Sequence, residues 1–456
     1  MIYDVAIIGA GTVGCAIFRR LCLGGARTIL LEKGADILCG ASKGNSAMLH
    51  TGYDGMPDSL ELACVRAGYA EYMEIHRHLN LPLLETGGLL VAWNEAEAAR
   101  LPAILAEAQR NGLTDVYDID AAELRRREPH LGPDALAAVV IPGEHIIDPW
   151  SPSLAYVLQG IAHRGEVRRR CAVTGGDRMA TGWRLATSSG AVEAGVVVNA
   201  AGNYGDLVEA IARPSPFHVR PRKGQFVVFD KPAARLIRSS ILPVPTERTK
   251  GVMVVRTAFG NLIVGPTAED QDDRADASVD AAQLAALIDK GCRILPTLAQ
   301  ETVTATYAGL RPATQFKDYQ IEAVPDRNWI TVGGIRSTGL TGALGIAQHV
   351  AGLYTRHFGQ LATNQPPIWT TVPNIAEHLP RPYQQPGYGE IVCHCELVTR
   401  TEIESALAGP LPAGDLGGLK RRTRCMMGRC QGFYCSARVT ELAAGRLSDL
   451  PAGKAA

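Results

Sequence analysis

The run Gly9-Ala10-Gly11-Thr12-Val13-Gly14 constrains this chain more than any other stretch. A short apolar strand, Asp4 to Ile8, precedes it; helical spacing from Gly14 to Leu23 and a second strand, Thr28 to Leu31, follow. This is a βαβ unit of about 30 residues, which favours a parallel sheet. Gly9 permits the tight turn, Gly11 lets the backbone approach a pyrophosphate, and Gly14 lets the helix pack closely on the strand. The helix N-terminus then points free N–H groups and a positive dipole end at phosphate. Glu32, beside Lys33, closes the second strand about 20 residues on, placed to accept hydrogen bonds from an adenosine ribose. The motif alone does not separate NAD from FAD.

At 456 residues, 46% of them hydrophobic and 20% charged, the chain is long enough for two or three folded domains. Lys plus Arg and Asp plus Glu both number 46, which argues against a general nucleic-acid binder. No apolar run nears the roughly 20 residues of a membrane span. Met1 to Ile8 enters the glycine motif with no secretory signal ahead of it, so a cytoplasmic protein is expected, held at the inner membrane only through a partner. Leu60 to Leu79 and Glu95 to Arg110 have helical spacing. Gln225 to Phe229, Val252 to Arg256, Leu262 to Val264 and Thr302 to Tyr307 read as strands of an inserted antiparallel sheet, where a substrate pocket is expected. Six prolines between Pro366 and Pro386 predict an extended linker across the surface. The expected division is a body over 1–372, with nucleotide-binding parts at about 1–77, 146–213 and 321–372 and a substrate domain at about 78–145 and 214–320. A linker over 373–389 and a cysteine module over 390–450 follow.

Six cysteines scatter between residues 15 and 292, whereas five crowd into 393 to 435. Cys393 and Cys395, then Cys430 and Cys435, form CxC and CxxxxC pairs. Four thiolates hold either tetrahedral zinc or a [2Fe–2S] cluster, and CxC spacing favours the cluster. Cys425 is a fifth thiol, so Cys425/Cys430 is an alternative pair. Arg421, Arg422 and Arg424 are expected to place positive charge beside an anionic cluster. IVCHC and GRCQGFYC resemble the bacterioferritin-associated-ferredoxin-like modules, and that resemblance implies Cys393, Cys395, Cys430 and Cys435 as ligands.

Ala41 to His50 is rich in small and polar residues suited to close contact with a flat ligand. From here the sequence resembles the glycine-oxidase and D-amino-acid-oxidase superfamily of flavoproteins, through VVVNAAGNYGD (196–206) and VGGIRSTGLTGALGIA (332–347) as well. The resemblance implies an α/β protein with a Rossmann-like FAD-binding domain, an inserted mixed or antiparallel substrate domain and a small cysteine-rich α module. It also implies FAD contacts from Gly9, Gly11, Gly14, Glu32, Lys33, Ser42, Asn45, Ser46, Val173, Gly202, Gly334, Thr338, Gly339, Leu340 and Thr341. Flavin and cluster together point to a dehydrogenase relaying electrons to a partner protein or quinone, with further subunits.

The stretches at 50–60, 222–230, 260–270 and 308–314 resemble more closely the glycerol-3-phosphate and L-2-hydroxyglutarate dehydrogenase branch. That resemblance implies a small anionic alcohol as substrate, glycerol 3-phosphate first, with Arg311 holding its anionic group. A planar guanidinium suits phosphate and carboxylate equally. Oxidising a secondary alcohol calls for a general base, for which His50 is the first candidate and His145 the second. Tyr53 stands where the aerobic enzymes of this branch place a phosphate-binding arginine; Lys317 or Arg336 would compensate. The rival readings are a 2-hydroxy-acid dehydrogenase, an opine- or hydroxyproline-type amine dehydrogenase, and a non-catalytic electron-transfer subunit.

Overall fold

Tyr3–Ile8 (β1) buries five of its six residues, the pattern of a strand covered on both faces. It runs parallel to Thr28–Leu31 (β2) on one side and to Val192–Asn199 on the other, in an eight-stranded sheet. The computed structural model describes residues 2–245, 251–362, 366–447 and 449–450. Thr12–Leu23 (α1) packs on this sheet with Leu60–Ile75 (α2) and Gly339–His357, around Phe18, Leu21, Ile75 and Leu344. A Cβ on Gly345 would lie 2.1 Å from the Cys64 carbonyl oxygen, so only glycine lets these helices approach so closely.

Two expected helices differ from their periodicity. α2 stops at Ile75 instead of Leu79, because the chain turns through Asn80 at φ 56° before Pro82. Residues 95–110 divide into Glu95–Ala98, capped by Asn94, and Leu101–Arg110, which begins next to Pro102; proline is tolerated in a first helical turn and nowhere further in.

A second sheet has nine strands, drawn from 88–141 and 222–311. It is mostly antiparallel, but Ser240–Pro243 runs parallel to Gly88–Ala92. Arg222–Phe229 pairs with Val303–Arg311, which places Arg222 opposite Arg311. The proline-rich stretch is extended but does more than cross the surface. Ile375 and Ala376 are buried in one core with Phe259, and Glu377 N–H donates to the Ala258 carbonyl at 2.8 Å.

The C-terminal module joins a hairpin, Ile391–Cys393 with Val398–Thr399, to helices Arg400–Ala406, Leu416–Thr423 and Ser436–Ala443 around Val398, Ile403, Leu419 and Val439. Of the arginines expected beside the cluster, Arg421 and Arg422 turn to the body, while Arg424 stays next to the thiols through Glu396, the neighbour of Cys395. Arg422 donates to the fully buried Asp36 of the body at 2.5 and 2.9 Å, Arg421 to the Ile37 carbonyl, and Arg424 to Glu396. Buried carboxylates capture guanidinium groups because neither charge tolerates burial alone. Burial alone would raise Asp36, but Arg422 and the amides of Gly414 and Ile37 hold it below the usual carboxylate range. Its contribution is therefore complete above pH ~4 and is lost as pH falls through its depressed value. Asp36→Asn should cost about 3–5 kcal/mol and release the module at neutral pH, read as lost hydrogen-exchange protection over 411–423; unchanged protection would refute the clamp.

Candidate functional site

Where β1 ends, the chain turns on Gly9 at φ 103°, against the Ala200 carbonyl. A Cβ on Gly14 would lie 1.9 Å from the Gly9 oxygen, whereas one on Gly11 would meet only Ser42 Oγ, at 3.2 Å. The space before Gly11 opens into a cavity of about 1020 Å³. Helix α1 starts there with no side-chain cap from Gly11, and Ser42 Oγ accepts the Thr12 N–H at 3.1 Å. The wall continues through Glu32, Lys33, Ser42, Asn45, Ser46, Val173, Gly202, Gly339 and Leu340. Glu32 accepts N–H bonds from Ala10 and Gly34, and Lys33 Nζ lies 3.2 Å from the Tyr204 ring centroid. Asn203 Oδ1, in the same wall, is buried without a partner among the described residues. An elongated dinucleotide fits this cradle: open backbone at Gly11, acceptors at Glu32 and Asn203, and a helix start for phosphate.

Gly14, Gly334, Thr338 and Thr341 do not line the cavity. Gly14 serves packing. Thr338 Oγ1 donates to Glu61 at 2.6 Å and lies 2.7 Å from the Tyr319 hydroxyl. Thr341 Oγ1 accepts the His50 N–H at 2.9 Å, so it seats the candidate base.

His50 lines the cavity and His145 does not. His50 Nδ1 lies 3.0 Å from Glu144 Oε2, and Glu144 is fully buried. The other oxygen, Oε1, accepts Thr51 N–H at 2.6 Å and Thr51 Oγ–H at 2.7 Å. A carboxylate held in this way fixes the imidazole with hydrogen on Nδ1 and a lone pair on Nε2, the form able to take a proton. His145 instead stacks on Tyr69, and burial lowers its pKa. Glu144 was not singled out from the sequence. Its signal, an acidic residue beside His145, acquires meaning only when the strand His145–Ile147 pairs with Met48–Leu49.

Arg311 also lines the cavity. It donates to the Thr267 carbonyl at 2.7 Å, and among the described residues no carboxylate lies within 4.0 Å of it. Burial and the neighbouring Arg222 pull its pKa down to about 10, so it stays cationic. Arg222 itself is held by Asp270 at 2.6 and 3.0 Å, and Arg274 by Asp206. Of the proposed substitutes for the missing arginine, Arg336 lines the cavity while Lys317 is exposed and does not. Tyr53, buried in the wall, keeps its phenol protonated because burial pushes its pKa well up.

In the module, the Cys393 thiol pairs with Cys435 and the Cys395 thiol with Cys430. A hydrogen bond from Cys435 pulls Cys393 down to about 6. Two pairs suit a cluster in which each iron takes two thiolates. Among the described residues no three His, Cys, Asp or Glu side chains form a group able to hold one ion. Cys425 is fully buried in the module core, and burial pushes its thiol up to about 11.

Comparison with known proteins matches residues 4–353 to the family FAD dependent oxidoreductase and residues 391–444 to the BFD-like [2Fe-2S] binding domain. A glycerol 3-phosphate dehydrogenase of Caloramator mitchellensis is 30% identical over 98% of this chain and 94% of its own length. One component of the anaerobic glycerol-3-phosphate dehydrogenase of Escherichia coli K12 is 26% identical, over 96% of this chain and 87% of that protein. The dithionite-reduced L-alpha-glycerophosphate oxidase of Mycoplasma pneumoniae, solved with FAD bound, superposes with a TM-score of 0.77 at 26% identity. That match covers 82% of this chain and all of the other.

Proposed function

The chain belongs to the FAD dependent oxidoreductase family and carries a BFD-like [2Fe-2S] domain, and from that premise we propose that it dehydrogenates glycerol 3-phosphate and relays the electrons to a partner. The observation that carries the substrate reading is Arg311: a half-buried cation with no carboxylate within 4.0 Å among the described residues, in the same cavity wall as His50, which Glu144 backs. The relatives named for glycerol 3-phosphate support phosphate over carboxylate.

Bound FAD supplies the hydride acceptor; the rest is done by side chains. Arg311 binds the substrate's anionic group through its planar fork. His50 Nε2 takes the hydroxyl proton as the C–H bond is broken. Glu144 stabilises the imidazolium that results, and Thr51 and Thr341 keep both groups in place. Arg222 is neutralised by Asp270, so Arg311, with Arg336 in the same cavity wall, meets the substrate's charge. We further propose that the second sheet is the substrate domain, and that a redox subunit or quinone collects the electrons at the module. Among the described residues no helix is long and apolar enough to cross a membrane.

Anaerobic mixing with glycerol 3-phosphate should bleach the flavin's visible band, while L-2-hydroxy acids and amines should not; bleaching by either of those instead would overturn the substrate assignment. Arg311→Ala should lower kcat/KM by about 10- to 150-fold, the worth of one charged hydrogen bond at about 1.5–3 kcal/mol, with flavin content unchanged. Unaltered turnover would favour a wiring subunit.

A further inference from the structure

Trp150, Phe259 and Arg424 make one unbroken contact between the cavity and the cysteine module. Trp150 Nε1 donates to the Lys43 carbonyl at 3.1 Å, and Lys43 lines the cavity. The indole stacks on Phe259, with centroids 5.3 Å apart and planes 16° from parallel. The Arg424 guanidinium lies 4.1 Å from the Phe259 centroid. Its Nε and Nη2 each reach Glu396 Oε2 at 3.1 Å, and Glu396 is the next residue after Cys395. Phe259 and Arg424 are both 5% exposed, so water is excluded from the middle of this contact.

Two observations separate it from incidental packing. Arg424 ends the helix Leu416–Thr423 in the left-handed region, at φ 67°, where glycine is the usual occupant. The chain keeps a long cationic side chain there against the backbone's preference, and that side chain is spent on Phe259 and Glu396. The extended linker also closes over the same place, through Ile375, Ala376 and the Glu377 amide bonded to Ala258.

We infer that Trp150, Phe259 and Arg424 are the route by which electrons cross from the flavin to the cluster, an inference that rests on the cofactor assignment above. Two electrons enter the flavin with the substrate's hydride and leave one at a time. Each passage oxidises the flavin by one electron and reduces the cluster by one, the flavin's protons pass to solvent, and the acceptor beyond the module collects both electrons. Transfer weakens as the gap between groups widens, so a packed contact outperforms a solvent gap. A second contact, Arg170 Nη2 donating to the Gly414 carbonyl at 3.0 Å, lies outside the cavity wall, meets the loop ahead of a helix that carries no paired thiol, and serves as the control.

In the full-length protein with both cofactors, the flavin is reduced without substrate by a light flash in the presence of a sacrificial amine donor such as EDTA, which is oxidised in exchange, and bleaching of the cluster is followed. Arg424→Gly relieves the backbone and should leave the module folded, yet slow cluster reduction by about tenfold or more, equivalent to ~1.4 kcal/mol of barrier. Phe259→Ala should do the same and Phe259→Tyr should restore the rate; Arg170→Ala should change nothing. Hydrogen-exchange protection over 391–399, read separately and without turnover, should match the parent in every variant. Parent rates of cluster reduction in Arg424→Gly and Phe259→Ala overturn the route, as does a slowing that is explained entirely by lost protection in both. Failure of glycerol 3-phosphate to bleach the flavin defeats the substrate assignment instead and leaves the flash experiment intact.

Discussion

His50→Ala is expected to slow substrate reduction of the flavin by about 10²- to 10⁴-fold, the usual worth of a positioned general base, with little change in flavin content. The loss should appear in the rate of bleaching under anaerobic rapid mixing rather than in affinity, because Arg311 still holds the anion. Glu144→Gln should approach the same loss without touching substrate. A carboxamide that donates to Nδ1 would move the imidazole hydrogen to Nε2, the atom that must receive the proton. Oε1 of Glu144 only accepts, from Thr51, so a glutamine whose amide nitrogen faces Nδ1 keeps its oxygen on Thr51 and leaves the loop in place, which isolates the effect on the imidazole tautomer. Parent rates in both variants would remove His50 from the reaction and leave it a structural residue.

Cys430→Ser is expected to abolish iron binding while FAD remains bound and is still bleached by substrate. Cys430 is the partner of Cys395; losing one thiolate leaves an iron with a single protein ligand in a half-exposed loop. Turnover with a dye that takes electrons from flavin should survive, and transfer to any acceptor that docks at the module should vanish. Cys425→Ser should keep its iron, because that thiol is a buried core group bonded toward Thr423. Iron and flavin content, measured on the same preparations, decide the matter: iron retained in Cys430→Ser and lost in Cys425→Ser would transfer the ligand role to Cys425.

Much of this was legible along the chain because it is local. A glycine turn between a strand and a helix carries its own geometry, so the run from Gly9 to Gly14 shows the cradle without any distant contact. Four cysteines in two close pairs show the module in the same way. The two helices that differ from expectation are local too, but there apolar periodicity runs across Pro102 and on to Leu79, at the edge of the turn through Asn80, and backbone stereochemistry outranks periodicity. Arg421 and Arg422 depart from expectation for the opposite reason: charge along a sequence says nothing of its partner, and Asp36 lies nearly four hundred residues earlier, whereas Arg424 does stand beside Cys395 through Glu396.

The sequence by itself thus determined the glycine turn of the cradle and the close cysteine pairs, since each depends on residue type and short spacing, and it nominated His50 from its place in the chain and Arg311 from family resemblance. Only the tertiary structure put His50 and not His145 in the cavity wall, set Glu144 beside it, left Arg311 with no carboxylate within 4.0 Å among the described residues, and joined the module to the body through Asp36 and Phe259. The reason is physical: proton affinity, ion pairing and electron transfer depend on distances of a few ångströms between groups remote in sequence, and strand pairing and helix packing set those distances.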